Sequence, residues 1–140
     1  MLTTMDLTEQ LQSLMPMCAT LGMRAVQMTP EAVELEMDWT EERCTSNGLL
    51  HGGAIMALAD SGGGACAFAN LPEGAVGTST IESKTNFLGA ARAGVVRSVS
   101  RPLHVGSTTI VVETEVRDDN GRLIAKTTQT QIALKPKPAG

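Results

Sequence analysis

The chain has 140 residues and a formal net charge of −4, with 42% hydrophobic and 19% charged residues. These values predict one folded domain over residues 1–140 that buries a core without disulfides or metal, and they exclude a largely disordered protein. The three cysteines form no CxxC pair, and their odd number argues against a disulfide framework and for a reducing, cytoplasmic location. The longest apolar run is too short to span a bilayer, so no membrane partner is expected.

The charges are unevenly distributed along the chain. Residues 1–80 carry two basic and ten acidic side chains, whereas residues 81–140 carry nine basic and five acidic ones. A site for single-stranded nucleic acid would need aromatic side chains for base stacking, and the chain has one tryptophan, two phenylalanines and no tyrosine. Nucleic acid is therefore not an expected partner. The basic second half indicates either a site for a small polyanion, such as a nucleotide-bearing cofactor, or scattered surface arginines.

The first third of the chain predicts a short helix followed by two strands. Leucines recur at helical spacing over residues 7–14, just before Pro16. Residues Met23–Met28 predict a strand. Apolar and acidic residues then alternate over Val33–Trp39, which is typical of a strand with one face in the core and one face in water.

A glycine-rich turn, Asn47–Gly53, leads into an apolar helix that is predicted for residues 53–69. Asp60 is the only carboxylate in this helix, and the sequence shows no solvated face to receive it. Because burying an ion is costly without a compensating partner, Asp60 is either paired or kept for chemistry. The helix also contains three consecutive glycines at 62–64, each costing about 1 kcal/mol relative to alanine. They indicate close backbone approach to the sheet or to a second helix.

The second half of the chain is predicted to consist of strands. The β-branched and alternating runs place them at Val76–Leu88, Val95–Arg101, Ser107–Arg117 and Arg122–Leu134. Asn120-Gly121 is a strong hairpin signal between the last two, and every connection is short enough for an antiparallel arrangement. One long apolar helix with six strands predicts an α+β domain in which a curved antiparallel sheet wraps around the helix.

The start of the central helix resembles that of a known family. The motif GLLHGG at Gly48–Gly53, with an acid nine residues after the histidine, is similar to that of hotdog-fold acyl-CoA thioesterases, in particular the PaaI-type (phenylacetic acid degradation) branch. Residues 86–94 resemble the family's second strand, and Gly121–Ala125 its last hairpin. The resemblance implies a hotdog fold, an acyl-CoA substrate, no metal or redox cofactor, and a homodimer that often pairs into a homotetramer.

The resemblance also implies roles for individual residues. The backbone amide of Gly52 would bind the thioester oxygen, and Asp60 would act as base or nucleophile. Thr80 falls where relatives place a hydroxyl near the attacking water, although it is also an ordinary strand threonine. His51 either takes a direct part or simply holds the turn that starts the helix. Asp60 has a structural alternative as well, as a buried acid bonded to backbone amides.

One position departs from the family pattern. Many relatives have Asn or Gln six residues before the histidine, and this chain has Thr45 there, with Asn47 two positions later. Three alternatives stay open: Thr45 performs a weaker version of the same task, Asn47 takes it over, or the water is oriented differently.

The chemistry constrains the assembly. A thioester has a weakly basic leaving group, with a thiol pKa of about 8.5, so hydrolysis mainly needs an oxyanion donor and a group that activates or replaces water. A helix start supplies unpaired N–H groups for the oxyanion. Gly52 and Asp60 are eight positions apart, roughly 12 Å along a straight helix, so one thioester carbon cannot contact both. If both residues act, the site lies across a two-fold interface.

The sequence offers candidates for binding coenzyme A and leaves rival functions open. Arg92, Arg101 and Lys126 in the basic half are candidates for the phosphates. The main rival is a non-catalytic module that binds acyl-CoA or acyl-carrier protein in the same groove. A hotdog dehydratase is a second rival, but that chemistry usually relies on an Asp followed closely by a His, and no histidine follows Asp60 until His104.

Overall fold

The structure is a computed structural model and describes residues 5–139. Within that range the chain forms three α-helices and six strands, and two 3₁₀ turns, Glu41–Arg43 and Ser46–Gly48, precede the longest helix. The helices are α1 (Leu7–Leu14), α2 (Pro16–Thr20) and α3 (Gly52–Ala69). The strands are β1 (Arg24–Met28), β2 (Val33–Asp38), β3 (Gly77–Phe87), β4 (Val95–Val105), β5 (Thr109–Arg117) and β6 (Leu123–Leu134). No helix in the described range is long and apolar enough to cross a membrane.

The six strands form one antiparallel sheet in the order β1-β2-β4-β5-β6-β3, and α3 packs against one face of it. The predicted α+β fold, with a curved antiparallel sheet around one long helix, is confirmed. Buried side chains from both layers form the core between them, including Leu35, Leu58 and Ile110. The helix ends at Ala69, and the side-chain amide of the capping residue Asn70 donates to the Cys66 carbonyl at 2.8 Å.

β3 lies at one edge of the sheet, away from the strand that follows it in the chain. β3 is not a hairpin neighbour of β4 but pairs with β6 at the opposite edge from β1. The loop between β3 and β4 passes the start of α3, where the Leu50 N–H donates to the Ala91 carbonyl at 2.9 Å. β4 also continues beyond its predicted end at Arg101, because the register shift between Pro102 and His104 lets the strand accommodate a residue without an N–H.

The glycines of α3 explain how closely the helix approaches the sheet. A Cβ on Gly62 would lie 2.8 Å from the Ser100 hydroxyl, and one on Gly63 would overlap the Gln129 amide. A Cβ on Gly64 would meet nothing within 4 Å in the described part of the chain. The predicted close approach is therefore made to the sheet by Gly62 and Gly63, whereas Gly64 faces open space.

Candidate active site

Hydrogen bonds in the loop before α3 fix the position of the helix start. The His51 N–H donates to the Arg43 carbonyl at 2.9 Å, which closes the loop. The His51 Nδ1 accepts the Gly53 N–H at 2.7 Å, so the histidine caps the helix and carries its own proton on Nε2 if neutral. This is the turn-holding role that the sequence left open. Among residues 5–139 no acceptor bonds the Gly52 N–H, so this donor is available at the positive end of the helix dipole.

One stripe of α3 is exposed or half-buried and borders the β3 edge of the sheet. Its members recur every fourth residue: Gly52, Met56, Asp60, Gly64 and Phe68. Asp60, Met56 and Phe68 are exposed in the single chain, the last two by 41% and 52%. The expectation that the apolar helix has no solvated face for Asp60 was therefore wrong, because the sheet covers only one side of the helix.

Asp60 is held by side chains from two strands. Its Oδ1 accepts hydrogen bonds from Thr80 Oγ1 on β3 and from Gln129 Nε2 on β6, both at 3.1 Å. Gln131 Nε2 donates to the Thr80 hydroxyl. No lysine, arginine or histidine in the described range forms an ion pair with Asp60. The structure thus brings Asp60 and Thr80 into hydrogen-bond contact and gives the carboxylate two neutral donors.

Sequence reasoning missed Gln129 and Gln131. Both are only 1% exposed, on the face of β6 that lies under α3. The available signal was that polar residues occupy alternate positions of a strand whose same face includes the buried Ala125 and Ala133. Large amides in core positions indicate a buried polar partner, because an unpaired buried amide is costly.

A groove of about 380 Å³ opens beside Asp60. Its apolar walls are contributed by the first helices, β1 and α3: Leu14, Met15, Met28 and Phe68. Asp60, Thr80 and Gln131 line the same groove, so the carboxylate and its donors lie at the edge of an apolar space. This arrangement can hold an apolar group with its polar end at Asp60.

The comparisons with known proteins identify the family of this chain. The model of the thioesterase superfamily matches residues 47–125, which include the helix start, Asp60 and Thr80. The chain belongs to this superfamily. A 1,4-dihydroxy-2-naphthoyl-CoA hydrolase of Escherichia coli is 33% identical over 118 residues, which cover 84% of this chain and 86% of that protein.

Solved structures of thioesterases share the fold. A thioesterase family protein from Silicibacter pomeroyi matches with a TM-score of 0.84 at 30% identity, covering 92% of this chain and 96% of its own. A mutant of the phenylacetic acid degradation protein PaaI from Thermus thermophilus matches with a TM-score of 0.78 at 22% identity, covering 85% and 99%. The predicted resemblance to hotdog thioesterases is confirmed, and the chain is a thioester hydrolase.

Two of the candidate residues lie in the loop before α3 of this thioesterase. The side chains of Thr45 and Asn47 are exposed and form no hydrogen bond within residues 5–139. Asn47 has a positive φ of 64°, a conformation that asparagine tolerates better than most residues. The backbone of the turn therefore explains why asparagine stands at this position. Neither residue touches Asp60 in the single chain, and their roles stay predictions.

The three candidate cations of the thioesterase do not converge. Arg92 lies in the loop between β3 and β4, on the wall of a cavity of about 500 Å³ that Arg122 also lines. Arg101 and Lys126 lie on the sheet face away from α3. Lys126 Nζ is 2.7 Å from Glu113 Oε1, and the hydrogen bond to Glu113 raises the pKa of this lysine. Arg92 directly follows Ala91, whose carbonyl accepts the Leu50 N–H two residues before α3, so it lies beside the loop that starts the helix.

Four of the nine basic side chains in residues 81–140 form ion pairs within the part of the chain that the structure describes. The cations paired with carboxylates are Arg97, Arg117, Arg122 and Lys126. In the described range, no group of three or more His, Cys, Asp or Glu side chains has the geometry of a metal site.

Proposed function

We propose that this thioesterase hydrolyses acyl-CoA to a carboxylic acid and free coenzyme A. Asp60 acts as the base or nucleophile, and the Gly52 N–H is the oxyanion donor. The observation that carries the proposal is the position of Asp60, whose carboxylate is held by two neutral donors at the edge of an apolar groove. The reaction uses no metal or redox cofactor, because coenzyme A leaves as a weakly basic thiolate and needs little acid catalysis.

The active site is shared between two subunits. Asp60 and Gly52 lie roughly 12 Å apart along α3, so both cannot serve one thioester in a single chain. β3 is an edge strand of 11 residues with exposed apolar side chains, Ile81 and Phe87, and such an edge readily pairs with another strand. The strand that pairs with this free edge is β3 of a second copy of the chain.

The contacts of β3 within one chain support a particular register for this pairing. Thr80 bonds Asp60, and Phe87 packs closest to the helix start, where a Cβ on Gly52 would lie 3.2 Å from its ring. Antiparallel pairing of two β3 strands about a two-fold axis near residues 83–84 places Thr80 opposite Phe87 of the partner subunit. Asp60 of one subunit then approaches Gly52 of the partner subunit, which forms two sites per dimer.

The acyl group is apolar and includes aromatic rings. The Escherichia coli relative is named for a naphthoyl-CoA, and thioether and aromatic walls such as Met15, Met28 and Phe68 suit ring faces and edges. The test is a thiol-release assay over benzoyl-, phenylacetyl-, naphthoyl- and straight-chain acyl-CoAs. We expect turnover of at least one apolar acyl-CoA. Tight binding without thiol release would instead support a non-catalytic acyl-CoA binding module.

We expect Arg92 to bind the phosphates of coenzyme A. Arg92→Gln should raise KM several-fold and leave kcat nearly unchanged, because a surface phosphate contact adds equally to ground-state and transition-state binding. The wild-type KM should rise with ionic strength, and less so in the variant. The matched control is Lys126→Gln, since Lys126 is already paired with Glu113 on the far face of the sheet. Equal effects of the two substitutions would contradict this assignment.

A further inference from the structure

The donors around Asp60 form a continuous chain from the buried sheet to the carboxylate. Gln131 Nε2 donates to Thr80 Oγ1, Thr80 Oγ1 donates to Asp60 Oδ1, and Gln129 Nε2 donates to the same oxygen. Gln131 and Thr80 are directly opposite each other in the β6–β3 pair. All four groups therefore sit within one pair of strands and the helix above it.

The direction of each hydrogen bond follows from the groups themselves. An ionised carboxylate only accepts hydrogen bonds, so both of its partners must donate. The Thr80 hydroxyl has one proton, and because its oxygen accepts from the Gln131 amide, that proton points to Asp60. Both donors thus reach Oδ1, and Oδ2 receives no hydrogen bond from the described residues.

We infer that Gln131 and Gln129 are positioning residues that fix the orientation of Asp60, so that Oδ2 is the oxygen that attacks the thioester or takes the proton of water. This inference rests on the proposed function. Gln131 acts through Thr80, because it sets the direction of the hydroxyl proton. Gln129 acts on Asp60 directly.

The surroundings hold the two amides in place. Both glutamines are 1% exposed, and β6 is an interior strand paired on both sides. Gly63 leaves the space that the Gln129 amide fills, since a Cβ there would overlap it. The Gln129 Oε1 has no partner in the described range, so this buried amide keeps its single bond to Asp60 at the expense of an unsatisfied oxygen.

A double-mutant cycle tests the role of Gln131. We expect Gln131→Met and Thr80→Val each to lower kcat roughly 10-fold with KM changed less than about two-fold, because the carboxylate loses its fixed orientation. Thr80→Ser, which keeps the hydroxyl, should retain most of kcat. The double variant should be no slower than Thr80→Val, since Gln131 acts only through the hydroxyl.

The matched control is Gln27→Met. Gln27 Nε2 also donates to a threonine hydroxyl, that of Thr29, at 3.1 Å, but on β1 and away from Asp60. The Gln27→Met variant should therefore keep the wild-type kcat. Additive losses in the double variant, or a rise in KM in place of a fall in kcat, would overturn the inference.

NMR signals of the two glutamine amides test this inference independently of the proposed activity. The wild type and Asp60→Asn are assayed on the same acyl-CoA, which tests the function alone. In parallel, the side-chain amide NMR signal of Gln131 should move in Thr80→Val, and that of Gln129 should move in Asp60→Asn. Signals that stay in place in both variants would show that the chain of donors is absent, whatever the activity of the enzyme.

Discussion

Asp60→Asn is expected to lower kcat by at least about 100-fold, the loss typical for removal of a catalytic base, while KM changes little. The amide is nearly isosteric with the carboxylate, and its oxygen can still accept from Thr80 and Gln129, so the fold and the groove should persist. Exposure of Asp60 in the single chain supports this, because no buried ion pair is broken. Thiol-release kinetics and the thermal midpoint of the variant are the measurements.

The control for this variant is Glu73→Gln, which removes an exposed carboxylate in the turn after α3. It should keep wild-type kinetics, so a general effect of net charge would show as a loss in both variants. Turnover of Asp60→Asn close to the wild-type rate, with the thermal midpoint unchanged, would remove Asp60 from the mechanism.

Mixing two inactive variants is expected to restore activity. Asp60→Asn lacks the base, and Gly52→Pro lacks the oxyanion N–H. In a mixed dimer one site combines both lesions, while the other receives intact Gly52 from one chain and intact Asp60 from its partner. With statistical mixing, half of the dimers are mixed and each has one working site, so about a quarter of the wild-type specific activity should return.

In this structure, Gly52→Pro should remove the backbone N–H without disturbing the helix. Gly52 is the first residue of α3, where proline is tolerated, and His51 has ψ 132°, which suits a residue before proline. The control is Gly52→Ala, which adds the same Cβ near Phe87 but keeps the N–H, and it should retain far more activity. Mixed dimers that are shown to form yet remain inactive would mean that each subunit works alone.

Local patterns in the sequence predicted the elements and the core of the candidate site. α3 was expected from about residue 53 and begins at Gly52, because the cap and the glycine turn act over a few residues. The alternation over Val33–Trp39 predicted β2 almost to its ends, since side chains of a strand alternate between faces. Thr80 was a candidate only through the family resemblance, and its hydroxyl lies 3.1 Å from Asp60 Oδ1 in the structure.

The surroundings of Asp60 could not be read from the sequence. Gln131 lies 51 positions from Thr80, and only the pairing of β3 with β6 brings these side chains together. Gln129 lies 69 positions from Asp60, and only the packing of α3 on the sheet brings these two into contact. The pairing of β3 with β6 is non-local, and short connections predict an antiparallel arrangement without predicting which strands are neighbours.

The sequence by itself determined where the helices and strands form and which helix carries the carboxylate, because periodicity, caps and turns depend on neighbouring residues. Only the tertiary structure decided which side of α3 the sheet covers, and with it that Asp60 is exposed while Gly63 is pressed against Gln129. Burial is a property of packed layers, and a helix that is apolar all round does not reveal which of its faces meets the sheet.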